Sequence, residues 1–318
     1  MLTSPVDHSH PARGTGAHTH PVSGTATALR CSFAAELRGD PLAGTAAPSS
    51  GLFLVEQPGP WGRIALTQSR LDPVVGLSLA NRAAERGLRT LVIRRPGKAD
   101  RTPVRRRWAL VDCLPGRESI RWGWFARDGE LDDIPLDGSA GEPSVQPCYL
   151  VCTHGRHDAC CAIRGRPVAL ALQQLRPGEV WECSHVGGDR FAANVLALPH
   201  GLYYGRVDPT SAADLVAAQD RGEVLAALLR GRTTSTAPVQ AAQHHARDLT
   251  GDQRISSFVP ISAERSGDGW RVHLRHDPED LVITLRSTSA GPAALLTCGA
   301  TAPAHPPMFV IDDVRPVS

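Results

Sequence analysis

Nowhere in the 318 residues is there an uninterrupted apolar run of roughly 18 residues, the length a helix needs to cross a bilayer, so no membrane span is expected. A dominant charge is missing as well. The formal net charge is +2 with histidines neutral, too small a field to attract nucleic acid or a membrane surface. The opening stretch MLTSPVDHSHPARGTGAHTH lacks a charged segment followed by an apolar one, so it does not read as a secretory leader. The expected compartment is the cytoplasm. Nor does any stretch propose two carboxylates facing each other across a sugar cleft, which argues against glycoside hydrolysis.

What the chain does have is a core and a concentration of soft ligands. Apolar residues make up 42%, enough to bury a real interior. Of the eight cysteines, Cys148, Cys152, Cys160, Cys161 and Cys183 fall close together. Cytoplasmic thiols stay reduced, so such density points to metal or redox chemistry before structural disulfides. Cys31, Cys113 and Cys298 have no partner visible in the sequence and read as small buried apolar residues.

The pattern of elements is α/β. Residues 1–28 are polar and aperiodic and read as a disordered tail, whose His8, His10, His18 and His20 are taken as solvated. Residues 29–140 run strand (GLFLVE), helix (Ser69 to Gly87), then three strands (LRTLVIRR, RRRWALVDC, SIRWGWFA), with a basic run from Arg94 to Arg107 read as a solvated loop. After a linker at 137–147, residues 145–232 repeat the scheme. CYLVC is a strand, AIRGRPVALALQQL a helix and GEVWEC a strand. NVLALPHGLYYGRV is a hairpin turning at Pro199-His200-Gly201, and Ser211 to Gly231 reads as one long amphipathic helix. Residues 233–318 read as a helix and a small β module with strands GWRVHLRH, DLVITLRS, AALLTCG and PMFVIDDV.

Two dense patches, CTHGRHDACC (Cys152 to Cys161) and ECSHVGGDR (Glu182 to Arg190), each follow a strand. Ligands in open α/β sheets bind at the loops beyond the strand ends. If the two strands are parallel neighbours, Cys152, Cys161, His185 and Asp189 converge and supply four ligands, the number a tetrahedral zinc or a two-iron cluster requires. A vicinal Cys160–Cys161 disulfide would be strained, and a lone nucleophilic thiol leaves the second patch unexplained. Zinc remains open, although its sites favour shorter cysteine spacings. Gly155, Gly187 and Gly188 permit the close backbone approach an iron–sulfur cluster uses.

CTHGRHDACC and WECSHVGGDRFAANVLALPHGLYYGRV, with GTA (Gly44 to Ala46), PWG (Pro60 to Gly62) and a looser echo in LLTCGA, resemble the sucrase/ferredoxin-like family over roughly residues 31–230. The resemblance implies a thioredoxin-like fold made of two related halves, the first degenerate. It also implies a [2Fe–2S] cluster for electron transfer or redox sensing, more an electron carrier than a catalyst, working with an unidentified redox protein partner. Family members take two ligands from a C-x8-C pair, which Cys152 and Cys161 match, and two from H-x-G-G-H, which here reads His185-Val186-Gly187-Gly188-Asp189. The last position departs from the pattern. Three readings stay open: Asp189 replaces the second histidine, Cys183 does so instead, or the scaffold holds no cluster and is a zinc-stabilised or metal-free interaction module. Cys160 and His157 are outside candidates. Asp158 is expected to cap the following helix, and Arg156 and Arg190 to offset cluster charge or dock an acidic partner.

Overall fold

The computed structural model describes residues 29–97 and 104–317. The polar tail and the middle of the basic run lie outside the described residues. The elements run α1 (Cys31–Leu37), β1 (Gly51–Glu56), α2 (Pro73–Ala84), β2 (Leu88–Arg94), β3 (Arg106–Asp112), β4 (Ser119–Phe125) and β5 (Glu142–Ser144). There follow β6 (Cys148–Cys152), α3 (Ala159–Leu175), β7 (Val180–Cys183), β8 (Val195–Leu198), β9 (Leu202–Tyr204), α4 (Ala212–Asp220), β10 (Leu229–Arg232) and α5 (Ala237–Thr250). The chain closes with β11 (Val259–Ser266), β12 (Gly269–Arg275), β13 (Asp280–Ser289) and β14 (Pro307–Val317).

The first ten strands form one mixed sheet in the order β10-β9-β8-β6-β7-β2-β1-β3-β4-β5. In the second half β6 and β7 are parallel and joined through α3, while β8 and β9 add antiparallel on the far side of β6. The first half does the same: β1 and β2 are parallel around α2, then β3 and β4 add antiparallel beyond β1. Each half is therefore the four-stranded thioredoxin-like unit, and the sheet reads alike from either end. The halves join edge to edge through β2 and β7, which run antiparallel and pair only at Ile93↔Cys183 and Arg94↔Glu182. Because these are the last residues of each strand, the carboxyl ends of β2 and β7 abut. Loops from both then reach the same place.

Side chains alternate across the sheet. Tyr149 and Val151 face α3 and pack on Val168, Ala169 and Leu172, whereas Leu150 and Cys152 face the other way, with Ile93, Trp181, Cys183 and Val186. The closing module is an antiparallel sheet, β11-β12-β13-β14, whose Val272, Leu274, Ile283 and Leu285 bury against Val239, Ala242 and Ala246 of α5.

The structure differs from the sequence reading at several elements, α1 and β11 among them, which the sequence reading did not include. The long helix expected over Ser211 to Gly231 stops at Asp220, where Gly222 turns at φ +70°, and Leu229–Arg232 instead become the edge strand β10 on β9. Tertiary pairing with an open edge outweighs helical periodicity there. AALLTCG is not a strand but part of the loop between β13 and β14, closed on itself by an isolated Ala294–Ala304 bridge and held to the rest through Cys298, whose backbone N–H donates to Asp158. The linker at 137–147 contains the short strand β5, which pairs with β4.

Candidate metal centre

Cys152 ends β6 and Cys183 ends β7, in register on neighbouring parallel strands, so the two patches leave the sheet side by side. The first crosses to α3, which Asp158 caps by accepting from the Cys160 backbone N–H at 2.8 Å. Cys161 therefore lies in the first turn of α3. The second patch turns through Gly187 (φ +92°) and Gly188 (φ +80°), which lets the chain reverse and bring Asp189 back over His185.

The donors meet. Ligand atoms of Cys152, Cys161 and His185 lie within 4.8 Å of one another, as do those of His157, His185 and Asp189. The Cys161 thiol donates to Asp189 Oδ1 at 3.3 Å. His185 Nδ1 is buried and stands 2.9 Å from Asp189 Oδ1, an ion-pair contact whenever the ring is protonated. An imidazole gathered with two thiols and a carboxylate is a donor set that suits a metal ion. All four sequence-predicted donors are thus brought together. His157 joins them by stacking on His185, ring centres 3.7 Å apart. Cys183 is buried beneath, but its sulfur is in no such donor group among the described residues. Cys160, one step round the helix from Cys161, points elsewhere.

The electrostatics suit a cation. A hydrogen bond from Cys161, with help from His185 and the His154 backbone N–H, holds the Cys152 thiol well below the usual range despite its burial. Its partner Cys161 is pushed up by the same shared bond and by burial. Burial alone would lower His185, but Asp189 and Cys152 outweigh it and raise the imidazole to about 9. Burial likewise opposes ionisation of Asp189, yet His185 keeps its carboxyl below the ordinary value.

A second layer fixes these groups. His154 Nδ1 accepts from the His185 backbone N–H at 3.2 Å, and its Nε2 donates to Gly62 O at 2.6 Å. A backbone N–H can only donate and a carbonyl can only accept, so the ring is neutral with its proton on Nε2. Burial, which lowers its pKa, agrees. Gly62 belongs to the first half, where Trp61 meets His154 edge-on, so PWG is a wall of the site. Arg230 is fully buried and ties the other side. It donates to Gly187 O at 2.9 Å, to Asn194 Oδ1 at 2.8 Å and to Thr45 of the GTA segment, while burial lowers it to about 10. Sequence spacing gives no mark for Arg230, which fell inside the expected long helix. Arg190 turns to Asp40, at 3.4 Å, rather than to the donors. Trp181 stacks on Trp122 and is core.

The family model for sucrase/ferredoxin-like proteins matches residues 42–231, and the chain belongs to that family. No curated protein matches the chain. Among solved structures, a variant of the thioredoxin-like [2Fe–2S] ferredoxin from Aquifex aeolicus is 20% identical. The match covers 26% of this chain and 97% of that one, with a TM-score of 0.24, below the level from which a common fold can be inferred. The fold assignment above rests on strand order. No helix among the described residues is long and apolar enough to cross a membrane.

Proposed function

We propose that the chain is a [2Fe–2S] protein of electron transfer or redox sensing, with Cys152, Cys161, His185 and Asp189 as the four ligands. One observation carries this reading. A C-x8-C pair and an H-x3-D pair, 24 residues apart at their nearest members Cys161 and His185, converge at the carboxyl ends of two parallel strands. The donor set fits the group: four terminal positions, four donors, and a backbone N–H, that of His154, already given to a thiolate. Such a cluster supplies reversible one-electron transfer.

The residues tune that chemistry. Cys152 and Cys161 would hold one iron and bring two negative charges to it. Neutral His185 in place of a thiolate raises the reduction potential, while the Asp189 carboxylate returns one charge and lowers it, so the potential falls between all-cysteine and bis-histidine centres. His154 and Arg230 orient the loops that carry His185 and Asp189. The half-exposed His157 ring covers His185 and gives an edge through which a protein redox partner could exchange electrons.

Anaerobic purification followed by absorption spectroscopy and iron, sulfide and zinc analysis is the test. The expectation is broad absorption between roughly 330 and 550 nm with about two irons and two sulfides per chain, lost on Cys161→Ser and retained on Asp189→His. The specific short separations of His185 Nδ1 and of the Cys161 sulfur from Asp189 Oδ1, 2.9 and 3.3 Å, also suit a single tetrahedral ion, which favours zinc as the second reading. A colourless chain whose zinc content falls on Cys161→Ser would establish zinc and sink the cluster.

A further inference from the structure

Three cysteines that the first centre does not use come together on the other side of the α3 amino terminus. Cys31 opens α1, Cys160 lies in the first turn of α3, and Cys298 sits in the loop between β13 and β14. Their sulfurs form a nearly equilateral triangle: 3.7 Å from Cys31 to Cys160, 3.5 Å from Cys160 to Cys298 and 3.5 Å from Cys298 to Cys31. Asp158 Oδ2 closes the group at 3.5 Å from the Cys31 sulfur. The four ligand atoms lie within 4.8 Å of one another.

We propose that Cys31, Cys160, Cys298 and Asp158 form a second metal centre that holds one zinc ion and pins both flanks of the chain to the ferredoxin-like unit. The spacing selects the ion. A zinc–sulfur bond of about 2.3 Å gives a tetrahedron with edges of roughly 3.7 Å, which the triangle matches. A disulfide needs sulfurs about 2.05 Å apart and would strand the third thiol. A [2Fe–2S] cluster gives each iron only two terminal ligands, so three sulfurs in mutual contact cannot all be terminal ligands of one of its irons. On binding, the ion displaces the three thiol protons to solvent and no electron moves.

The surroundings are those of a thiolate site. The Ser32 backbone N–H donates to the Cys160 sulfur and the Cys31 backbone N–H to the Cys298 sulfur. Asp158 is anchored from both sides, Oδ1 by the Cys160 N–H and Oδ2 by the Cys298 N–H at 2.7 Å, so the carboxylate is oriented before any ion arrives. Three thiolates, a carboxylate and a divalent ion leave a charge of −2, offset by Arg190, which lies in electrostatic reach of Cys31, and by the α3 amino terminus. Cys31 and Cys298 both fall outside the family-matched residues 42–231, whereas Cys160 is adjacent to the ligand Cys161. A zinc staple there would fix the segments on either flank beside the first centre.

The test is metal analysis of the full chain, produced with zinc supplied, against Cys31→Ser and Cys298→Ser. The expected result is loss of about one zinc per chain in each variant, with iron and sulfide unchanged. Cys298→Ser changes an exposed loop residue and is the variant best suited to fold. If neither variant were soluble, cobalt supplied to the unaltered chain would decide, through tetrahedral cobalt bands and thiolate charge transfer that counts three sulfurs. Equal zinc in wild type and variants, no zinc in a chain incubated with it, or a disulfide among the three cysteines by mass spectrometry would each overturn the proposal. Iron and sulfide report on the first centre separately, so either centre can fail alone.

Discussion

At the scale of single residues, direction matters more than position. Cys160 and Cys161 are consecutive, and the sequence offered both to one site. On a helix, neighbours diverge by about 100°, so Cys161 turns to Cys152 and Asp189 while Cys160 turns to Cys31 and Cys298. The C-x8-C spacing points to Cys161, the one of the two that lies with Cys152, His185 and Asp189. His154 has both nitrogens committed, one to the His185 N–H and one to Gly62 O. His154→Ala would leave a buried donor and acceptor unpaired, and we expect a stability loss of about 1–3 kcal/mol by urea unfolding. Metal loss to a chelator should be faster than in the wild type. Unchanged unfolding and unchanged loss would mean that His154 merely fills space.

At the scale of elements, the turn after β7 is where backbone freedom is required. A Cβ on Gly188 would stand 2.4 Å from Arg230 Nη2, on a backbone at φ +80°. Arg230 cannot yield, because its guanidinium is held by Thr45, Gly187 and Asn194. Gly188→Ala should therefore cost on the order of 2–4 kcal/mol, strain and clash together. Gly222 has a similar φ of +70° with nothing within 4 Å, so Gly222→Ala isolates the strain at about 1 kcal/mol. Equal shifts in thermal unfolding for the two variants would remove Arg230 from the account. The strands of both halves were legible from their apolar runs. The edge strand β10 was not, since Leu225 to Leu229 continue a helical period and only an open edge on β9 recruits Leu229–Arg232 there.

At the scale of the molecule, the junction between the halves is short and polar at its rim. Arg94 of β2 pairs with the buried Glu182 of β7 at 2.7 Å, donates to Gly59 O at 2.8 Å, and lies over the Trp61 ring at 4.2 Å. Thr153 also donates to Glu182, at 3.0 Å, so one carboxylate links both halves to the first patch. Arg94→Ala would leave that carboxylate buried without its cation, and we expect a loss of about 2–4 kcal/mol in denaturant unfolding, with weaker metal retention. Arg94→Ala, Glu182→Gln together should recover part of the loss. No recovery would mean that Arg94 acts through Gly59 and Trp61 alone.

Local chemistry written in the chain determined most of the strands, the helices α2 and α3, the cap at Asp158, the glycine turn after His185, and the choice of Cys152, Cys161, His185 and Asp189 as candidate donors. Their type and spacing are properties of short segments. The tertiary structure decided everything that depends on segments far apart in sequence. It set the edge-to-edge pairing that brings Gly62 to His154, the clamp that Arg230 closes on Thr45 and Gly187, and the meeting of Cys31, Cys160 and Cys298. No local pattern encodes these, because residues separated by 129 and 138 positions, as Cys160 is from Cys31 and Cys298, become neighbours only once the whole sheet has formed.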